Sequence, residues 1–240
     1  MQKIEGRHHS ETDVERRVQV AFSVGEEKVQ KLLPPIWRSA PLQAGPTRGA
    51  NLFVAFRNRL FTAYHNPDGT TKPGELDSGI ILLATVRHAE SGETGFWVLR
   101  SLAANPRGIP GPYKNGKSAS VRMVQRMETH DSRDGSCVED WHVSLDEGEL
   151  SMFLQYRFGE ASSGLGEMTV RGGPDLDFSC VYRTDKGTVI ARSIPDSIDL
   201  VEQFSFKSSL DEFSGVFDGR ENLVGIAIEP WYIRQVFLRD

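Results

Sequence analysis

The sequence is poor in the features that mark cross-linked, metal-bound or membrane-spanning proteins. Its 240 residues include only two cysteines, Cys137 and Cys180, which are too few for a disulfide framework or a four-cysteine zinc site. The histidines show no spacing typical of a metal site. The longest uncharged apolar run covers residues 79–86, far short of the about 20 residues that a membrane-spanning helix needs. We therefore expect no metal and no membrane partner.

Neither sign of charge is in large excess. The chain has 28 lysines and arginines against 33 aspartates and glutamates, a net charge of −5. Binding to nucleic acid needs clustered cations that neutralise phosphates, so we expect no nucleic-acid partner. The first residues lack the apolar stretch of a secretion signal, which favours a cytoplasmic protein. Such a protein could form a homo-oligomer.

Alternation of apolar and polar residues predicts a mainly β protein. In residues 18–24, Val18, Val20 and Phe22 share one face, as expected of a half-buried strand. Turn-forming clusters, for example at residues 66–69 and 185–187, separate the candidate strands. Further strands are predicted over residues 52–56, 79–86, 95–102, 119–126, 138–145, 150–158, 176–182, 188–193 and 224–228.

Only two segments have helical character. The first covers residues 26–33 and is ended by two prolines. The second covers residues 210–217, where Ser209 and Glu212 form a possible capping box. About ten short strands with so few helices predict an antiparallel barrel or sandwich. We expect residues 1–15 to be disordered or derived from an expression tag, and residues 16–240 to form a single β-barrel domain.

One stiff connection, residues 105–118, interrupts the strand pattern. It contains three prolines and three glycines, and two of the eight lysines in the chain, Lys114 and Lys117. Residues 111–118 match the phosphate-binding pattern G-x-x-x-x-G-K-S, in which Lys117 would reach the phosphates and Ser118 would hold magnesium. A strand before this loop and a helix after it are required but not indicated, so nucleotide binding is a secondary alternative.

The same stretch is similar to a motif of the acetoacetate decarboxylase-like superfamily, R-E-x-x-G-x-P-K-K. Residues 107–114 read Arg-Gly-Ile-Pro-Gly-Pro-Tyr-Lys. The family's acidic residue is replaced by Gly108, and its adjacent lysine pair is split into Lys114 and Lys117. The resemblance implies a cone-shaped antiparallel β-barrel with two or three short helices, which holds a small oxo-acid and needs no cofactor.

The resemblance also implies a mechanism. In the family a lysine forms a Schiff base with the substrate, and a lysine must be neutral to act as a nucleophile. The match assigns this role to Lys114, with Lys117 supplying the neighbouring positive charge and Glu75 the active-site carboxylate. The candidate substrate-binding residues are Arg57, Arg59, Asp77 and Tyr113.

The resemblance thus implies a lyase of the decarboxylase or the aldolase/dehydratase type that acts on a small oxo-acid. The alternative is a non-catalytic barrel that binds a small apolar or acidic ligand, because lysines in loops are usually solvated. Near the C-terminus, Arg234 is a candidate for entering the cavity.

Overall fold

The computed structural model describes residues 4–66, 68–106, 116–129, 135–172 and 179–239. One short α-helix, α1 (Glu26–Gln30), and one 3₁₀ helix, Asp211–Phe213, accompany the strands of this part of the chain. The strands are β1 (Arg7–Ser23), β2 (Trp37–Ser39), β3 (Leu52–His65), β4 (Thr71–Pro73), β5 (Asp77–His88), β6 (Thr94–Ala103), β7 (Gly116–Ser118), β8 (Ser120–Thr129), β9 (Gly135–Leu145), β10 (Gly148–Arg157), β11 (Ser162–Gly172), β12 (Ser179–Ser193), β13 (Ile198–Asp199), β14 (Val201–Ser208) and β15 (Asn222–Arg239).

Seven of these strands close into a barrel. They pair in the order β5-β3-β1-β15-β12-β11-β6, and β6 pairs again with β5. Neighbours in the ring are antiparallel except β11 and β6, which run parallel over three residue pairs, Val170–Gly172 with Phe96–Val98. Closure provides the inner strand edges with hydrogen-bond partners and encloses an interior.

A second sheet, with the order β14-β10-β9-β8, covers one side of the barrel. The two layers are joined by the largest apolar cluster, in which Val18 and Phe56 of the barrel meet Trp141 and Met152 of the second sheet. The rings of Phe56 and Trp141 lie 5.6 Å apart. Because alternate residues of a strand point to opposite faces, the other faces of β1 and β3 are directed into the barrel.

The predicted mainly β barrel is confirmed, with corrections at several elements. Residues 7–15, expected to be disordered, form the first half of β1. Residues 185–187, predicted to form a turn, lie inside β12, which is one strand and not two. β11 and β14 were not expected, because glycines interrupt the first and polar residues dominate the second.

The predicted helices are shorter in the structure. α1 ends at Gln30, before the two prolines. Residues 210–217 contain only the 3₁₀ turn, and its N-terminus has no side-chain cap. Ser209 instead accepts a hydrogen bond from the amide of Glu149, and Glu212 pairs with Arg100, so the expected capping box does not form. None of the helices in the described ranges has the length and apolar character needed to cross a membrane.

Candidate functional site

The barrel encloses a cavity of about 250 Å³. Each of the seven barrel strands contributes to its wall, so the cavity is a product of barrel closure. The lining residues are Arg17, Gln19, Phe53, Ile81, Leu83, Phe96, Met168, Val170, Tyr182, Lys186 and Tyr232. A larger hollow of about 540 Å³ beside Leu165 lies open on the surface, and Leu165 itself is 86% exposed. The barrel cavity is less open than this hollow and is therefore the better candidate for a ligand site.

Two cations meet over one aromatic ring at the polar end of the cavity. The Arg17 guanidinium lies 3.6 Å from the centroid of the Tyr232 ring, and Lys186 Nζ lies 5.8 Å from it. Lys186 Nζ donates a hydrogen bond to Glu229 Oε1 at 2.5 Å. Gln19 Nε2 donates to Glu229 Oε2 at 3.0 Å. The cavity wall thus presents an amine and a guanidinium, and the buried Glu229 carboxylate holds the amine from behind the wall.

A buried network of charges continues from this polar end into the barrel. Arg17 Nε donates to Glu15 Oε2 at 2.6 Å, and Glu15 Oε1 lies 3.8 Å from Arg57 Nη1. Arg234 Nε donates to Asp13 Oδ2 at 3.0 Å, and Arg234 Nη2 donates to Glu11 Oε1 at 3.0 Å. These residues lie in β1, β3 and β15, three neighbouring strands of the ring.

Several buried donors of the network have no hydrogen-bond acceptor among the described residues. They are Nη2 of Arg17, Nε and Nη1 of Arg57, and Nε of Arg59. Arg17 Nη2 lies close to the Glu15 oxygen, but only Nε has the geometry of a hydrogen bond to it. Buried polar atoms are normally paired, so open donors beside a cavity favour an oxygen-bearing ligand.

The network shifts the ionisation of its own members. Burial raises the pKa of Glu11 above its usual value, and a hydrogen bond with Asp13 raises it further. Burial opposes ionisation of Glu15 as well, but the charges of Arg17, Arg234 and Arg57 outweigh it and lower the pKa of Glu15 to about 2. Burial raises the pKa of Tyr232 to about 12, so its hydroxyl keeps its proton at neutral pH.

Solved structures with this architecture are enzymes. MppR, an enduracididine biosynthesis enzyme solved with the condensation product of pyruvate and imidazole 4-carboxaldehyde, has a TM-score of 0.56 at 10% identity, covering 95% of this chain and 87% of that one. MppR complexed with pyruvate has a TM-score of 0.52 at 9% identity, covering 95% and 88%. An acetoacetate decarboxylase-like enzyme from Sphingomonas wittichii RW1 has a TM-score of 0.52 at 9% identity, covering 99% and 95%. No protein-family model and no curated protein matches the sequence.

The chain has the acetoacetate decarboxylase-like fold. The resemblance found in the sequence is thereby confirmed as a likeness of fold, which is what an identity of 9–10% supports.

Within the acetoacetate decarboxylase-like barrel, three predicted substrate-binding residues come together. Arg57 Nη2 donates to Asp77 Oδ2 at 2.8 Å, and Arg59 Nε lies 3.3 Å from Asp13 Oδ1. Asp77 also accepts a hydrogen bond from the backbone amide of Asn105, the first residue of the lysine-bearing connection. All three predicted residues are buried in the charge network next to the cavity and do not line it.

The predicted catalytic residues of the described ranges lie elsewhere. Lys117 pairs on the surface with Glu147, and its side chain is 36% exposed. Glu75 is exposed in the segment between β4 and β5. Neither residue is among those that line the cavity. Lys114 and Tyr113 lie outside the described residues, so their assigned roles stay predictions.

The nucleotide-binding alternative does not have the geometry it requires. After Lys117 and Ser118 the chain continues into β8, a strand, where a phosphate-binding loop needs a helix whose N-terminus faces the phosphates. Residues 111–115 of the pattern lie outside the described residues. Among the described residues no group of three or more His, Cys, Asp or Glu side chains is arranged to hold a metal ion.

Sequence reasoning missed Lys186, the lysine that lines the cavity. Its neighbours Asp185 and Gly187 made the segment look like a turn. Gly187 is needed within the strand because a Cβ there would lie 2.3 Å from the Trp231 ring. The alternation of Tyr182, Thr184 and Lys186 along one face of β12 was the signal that could have identified it.

Proposed function

We propose that the protein is a lyase-type enzyme that forms a Schiff base between Lys186 and a small oxo-acid. The observation that carries this proposal is that Lys186, which lines the cavity together with Arg17, donates a hydrogen bond from Nζ to the buried Glu229 Oε1 at 2.5 Å. An amine with an adjacent base and an anchor for a carboxylate is the combination that imine chemistry on an oxo-acid requires.

Glu229 prepares the nucleophile. It is 1% exposed and takes the proton from the Lys186 ammonium. The neutral amine then adds to the carbonyl carbon of the substrate. The carbonyl oxygen leaves as water with one proton from the amine nitrogen and the proton that Glu229 returns, which gives a protonated C=N bond. The resulting iminium accepts the electron pair released when a neighbouring C–C or C–H bond breaks.

Arg17 and Tyr232 hold the substrate in place. Arg17 Nη2 lies 2.6 Å from Glu15 Oε2 but makes no hydrogen bond to it, so it can donate one to the substrate carboxylate, and such charge-assisted hydrogen bonds are the stronger kind. Tyr232 is 2% exposed, lines the same cavity and keeps its proton, so it can donate to the carbonyl or hydroxyl oxygen. MppR, with a similar fold, is complexed with pyruvate in one structure, which makes a small oxo-acid a reasonable substrate.

One observation favours the non-catalytic alternative. The Lys186 side chain is 30% exposed and forms an ion pair with the Glu229 carboxylate, an arrangement that needs no chemical step to be useful. A barrel that holds an acidic ligand through Arg17 and Lys186 without reacting with it would need the same residues.

Trapping with cyanoborohydride separates these functions. The wild-type chain is incubated with pyruvate and sodium cyanoborohydride, which reduces a C=N bond to a stable secondary amine, and the modified lysine is mapped by peptide mass spectrometry. We expect the adduct on Lys186, its loss in Lys186→Met, and no change in Lys207→Met, whose lysine is exposed in β14. An adduct on Lys114 would show that the Schiff base forms on the lysine that the sequence analysis predicted, and not on Lys186. Binding without any adduct would support the non-catalytic barrel.

A further inference from the structure

The cavity has two ends of opposite chemistry. Arg17, Gln19, Lys186 and Tyr232 form its polar end. The remaining wall is almost entirely hydrocarbon, formed by Phe53, Ile81, Leu83, Phe96, Met168 and Val170. The side chains of Leu83, Phe96 and Met168 are only partly buried, so apolar surface is left for a ligand to cover. Covering such surface is favourable in proportion to the area removed from water.

The size of the cavity limits the ligand. A volume of about 250 Å³ is the volume that roughly eight molecules occupy in liquid water. A ligand of about eight to twelve non-hydrogen atoms fits this space when it packs as densely as a protein interior. Pyruvate, with six such atoms, reaches the polar end and leaves much of the hydrocarbon wall uncovered.

The charges of the barrel interior limit the ligand further. Among the described residues the network and the polar end contain five cations and five carboxyl groups. The cations are Arg17, Arg57, Arg59, Lys186 and Arg234, and the carboxyl groups are those of Glu11, Asp13, Glu15, Asp77 and Glu229. Of these ten groups only Arg17 and Lys186 line the cavity, so its wall offers two cations and no carboxylate.

One ligand carboxylate finds its partners at the polar end, where both cations of the wall lie. A second carboxylate would have to lie against the hydrocarbon wall, where no described residue of the lining is a cation, and burying an unpaired charge is costly. We propose that the substrate of this cavity is an oxo-monocarboxylate with a branched aliphatic or aromatic tail, whose carboxylate meets Arg17 and whose tail lies against Leu83, Phe96 and Met168. This inference rests on the proposed function and specifies its substrate.

The test compares four acids on the wild-type chain. Pyruvate, 4-methyl-2-oxopentanoate, phenylpyruvate and 2-oxoglutarate are each titrated by calorimetry and trapped with sodium cyanoborohydride. We expect the two tailed monocarboxylates to bind and to be trapped on Lys186 at concentrations at least about tenfold lower than pyruvate, since one or two extra methylenes in an apolar pocket give that order of discrimination. 2-Oxoglutarate is expected to be the weakest ligand.

The variant Leu83→Gln tests the wall directly. It places an amide against the tail of the ligand. The ratio of the affinity for the tailed acid to the affinity for pyruvate is therefore expected to fall about tenfold. The matched control Leu165→Gln, on the open surface, should keep the wild-type ratio.

Equal trapping of pyruvate and the tailed acids, or preferred binding of 2-oxoglutarate, would overturn the substrate assignment but not Schiff-base formation. Tailed acids that bind preferentially without any adduct would overturn the Schiff base and leave the ligand class standing. Absence of binding by all four acids would overturn both.

Discussion

Lys186 Nζ and Glu229 Oε1 are 2.5 Å apart across neighbouring strands, β12 and β15, at the polar end of the barrel cavity. The carboxylate is buried and the amine is partly exposed, so the pair lies where the interior meets solvent. In the proposed reaction the two side chains form an ion pair in the resting protein, and Lys186 passes a proton to Glu229 when a carbonyl compound approaches. The first prediction follows from this contact.

Replacing the base should slow imine formation more than binding. Glu229→Gln keeps the size of the side chain and its contact with Gln19, but it cannot take the proton of Lys186. We expect the rate of cyanoborohydride trapping to fall by about a hundredfold, the order that a positioned general base contributes. Glu149→Gln, at an exposed site in β10, is the control and should react at the wild-type rate. An unchanged rate in Glu229→Gln would show that another group activates the lysine.

Arg17 should determine the preference for an acid over its ester. We compare binding of 4-methyl-2-oxopentanoate and its methyl ester to the wild-type chain and to Arg17→Met. The wild-type chain should prefer the acid by about ten- to a hundredfold, the value of a hydrogen bond to a charged group, and the variant should lose this preference. Arg122→Met removes an exposed arginine of β8 and should keep it. If Arg17→Met still prefers the acid over the ester, a donor other than Arg17 binds the ligand carboxylate.

Stability should pass through a maximum at mildly acidic pH. The pKa of Glu15 is lowered to about 2 in the folded chain, so its contribution is present above its usual value of 4.5 and is lost as the pH falls towards 2. The pKa of Glu11 is raised to about 8, so the folded chain binds the extra proton, and stability falls as the pH rises from 4.5 to 8.

Thermal unfolding followed from pH 3 to pH 9 measures this profile. In Glu11→Gln, which keeps a neutral side chain at every pH, the loss of stability between pH 4.5 and 8 should be smaller than in the wild-type chain. If the two profiles fall equally over this range, Glu11 is ionised in the folded protein.

Barrel closure should depend on a glycine at the β5–β6 junction. A Cβ at Gly79 would lie 2.2 Å from the carbonyl oxygen of Leu102, so the backbone must shift to admit it. We expect Gly79→Ala to lower the free energy of unfolding by about 1–3 kcal/mol, the usual cost of overpacking. Gly164→Ala adds a methyl group in open space within β11 and should be close to neutral. Urea denaturation measures both, and equal stabilities would contradict the close approach of the two strands.

The residues that sequence reasoning predicted well are those whose environment is simple. Val18, Val20 and Phe22 lie between two layers, so apolar alternation revealed their strand. The first half of β1 was missed because nearly all of its residues are polar. Glu11 and Asp13 are buried there with partners distant in the sequence, among them Arg234 from the far end of the chain. Local patterns do not contain a partner more than two hundred residues away.

The candidate site shows the same division. The motif-like stretch around Lys114 drew attention because its composition is unusual. Lys186, by contrast, lies in a segment whose local composition indicates a turn, and only the pairing of β12 with β15 brings it to the cavity. The need for arginines and carboxylates in the site was predicted from the resemblance. Their pairing into one buried network depends on barrel closure, which no single segment of the sequence encodes.

The short parallel contact between β6 and β11 has a consequence for ligand binding. Phe96 and Val170 are paired in this contact, and both also line the cavity. A molecule that fills the cavity therefore touches both sides of the narrowest joint in the ring. By thermodynamic linkage, occupancy should strengthen that joint, and opening of the joint should weaken occupancy to the same degree. The ligand thus acts as a structural part of the ring that encloses it.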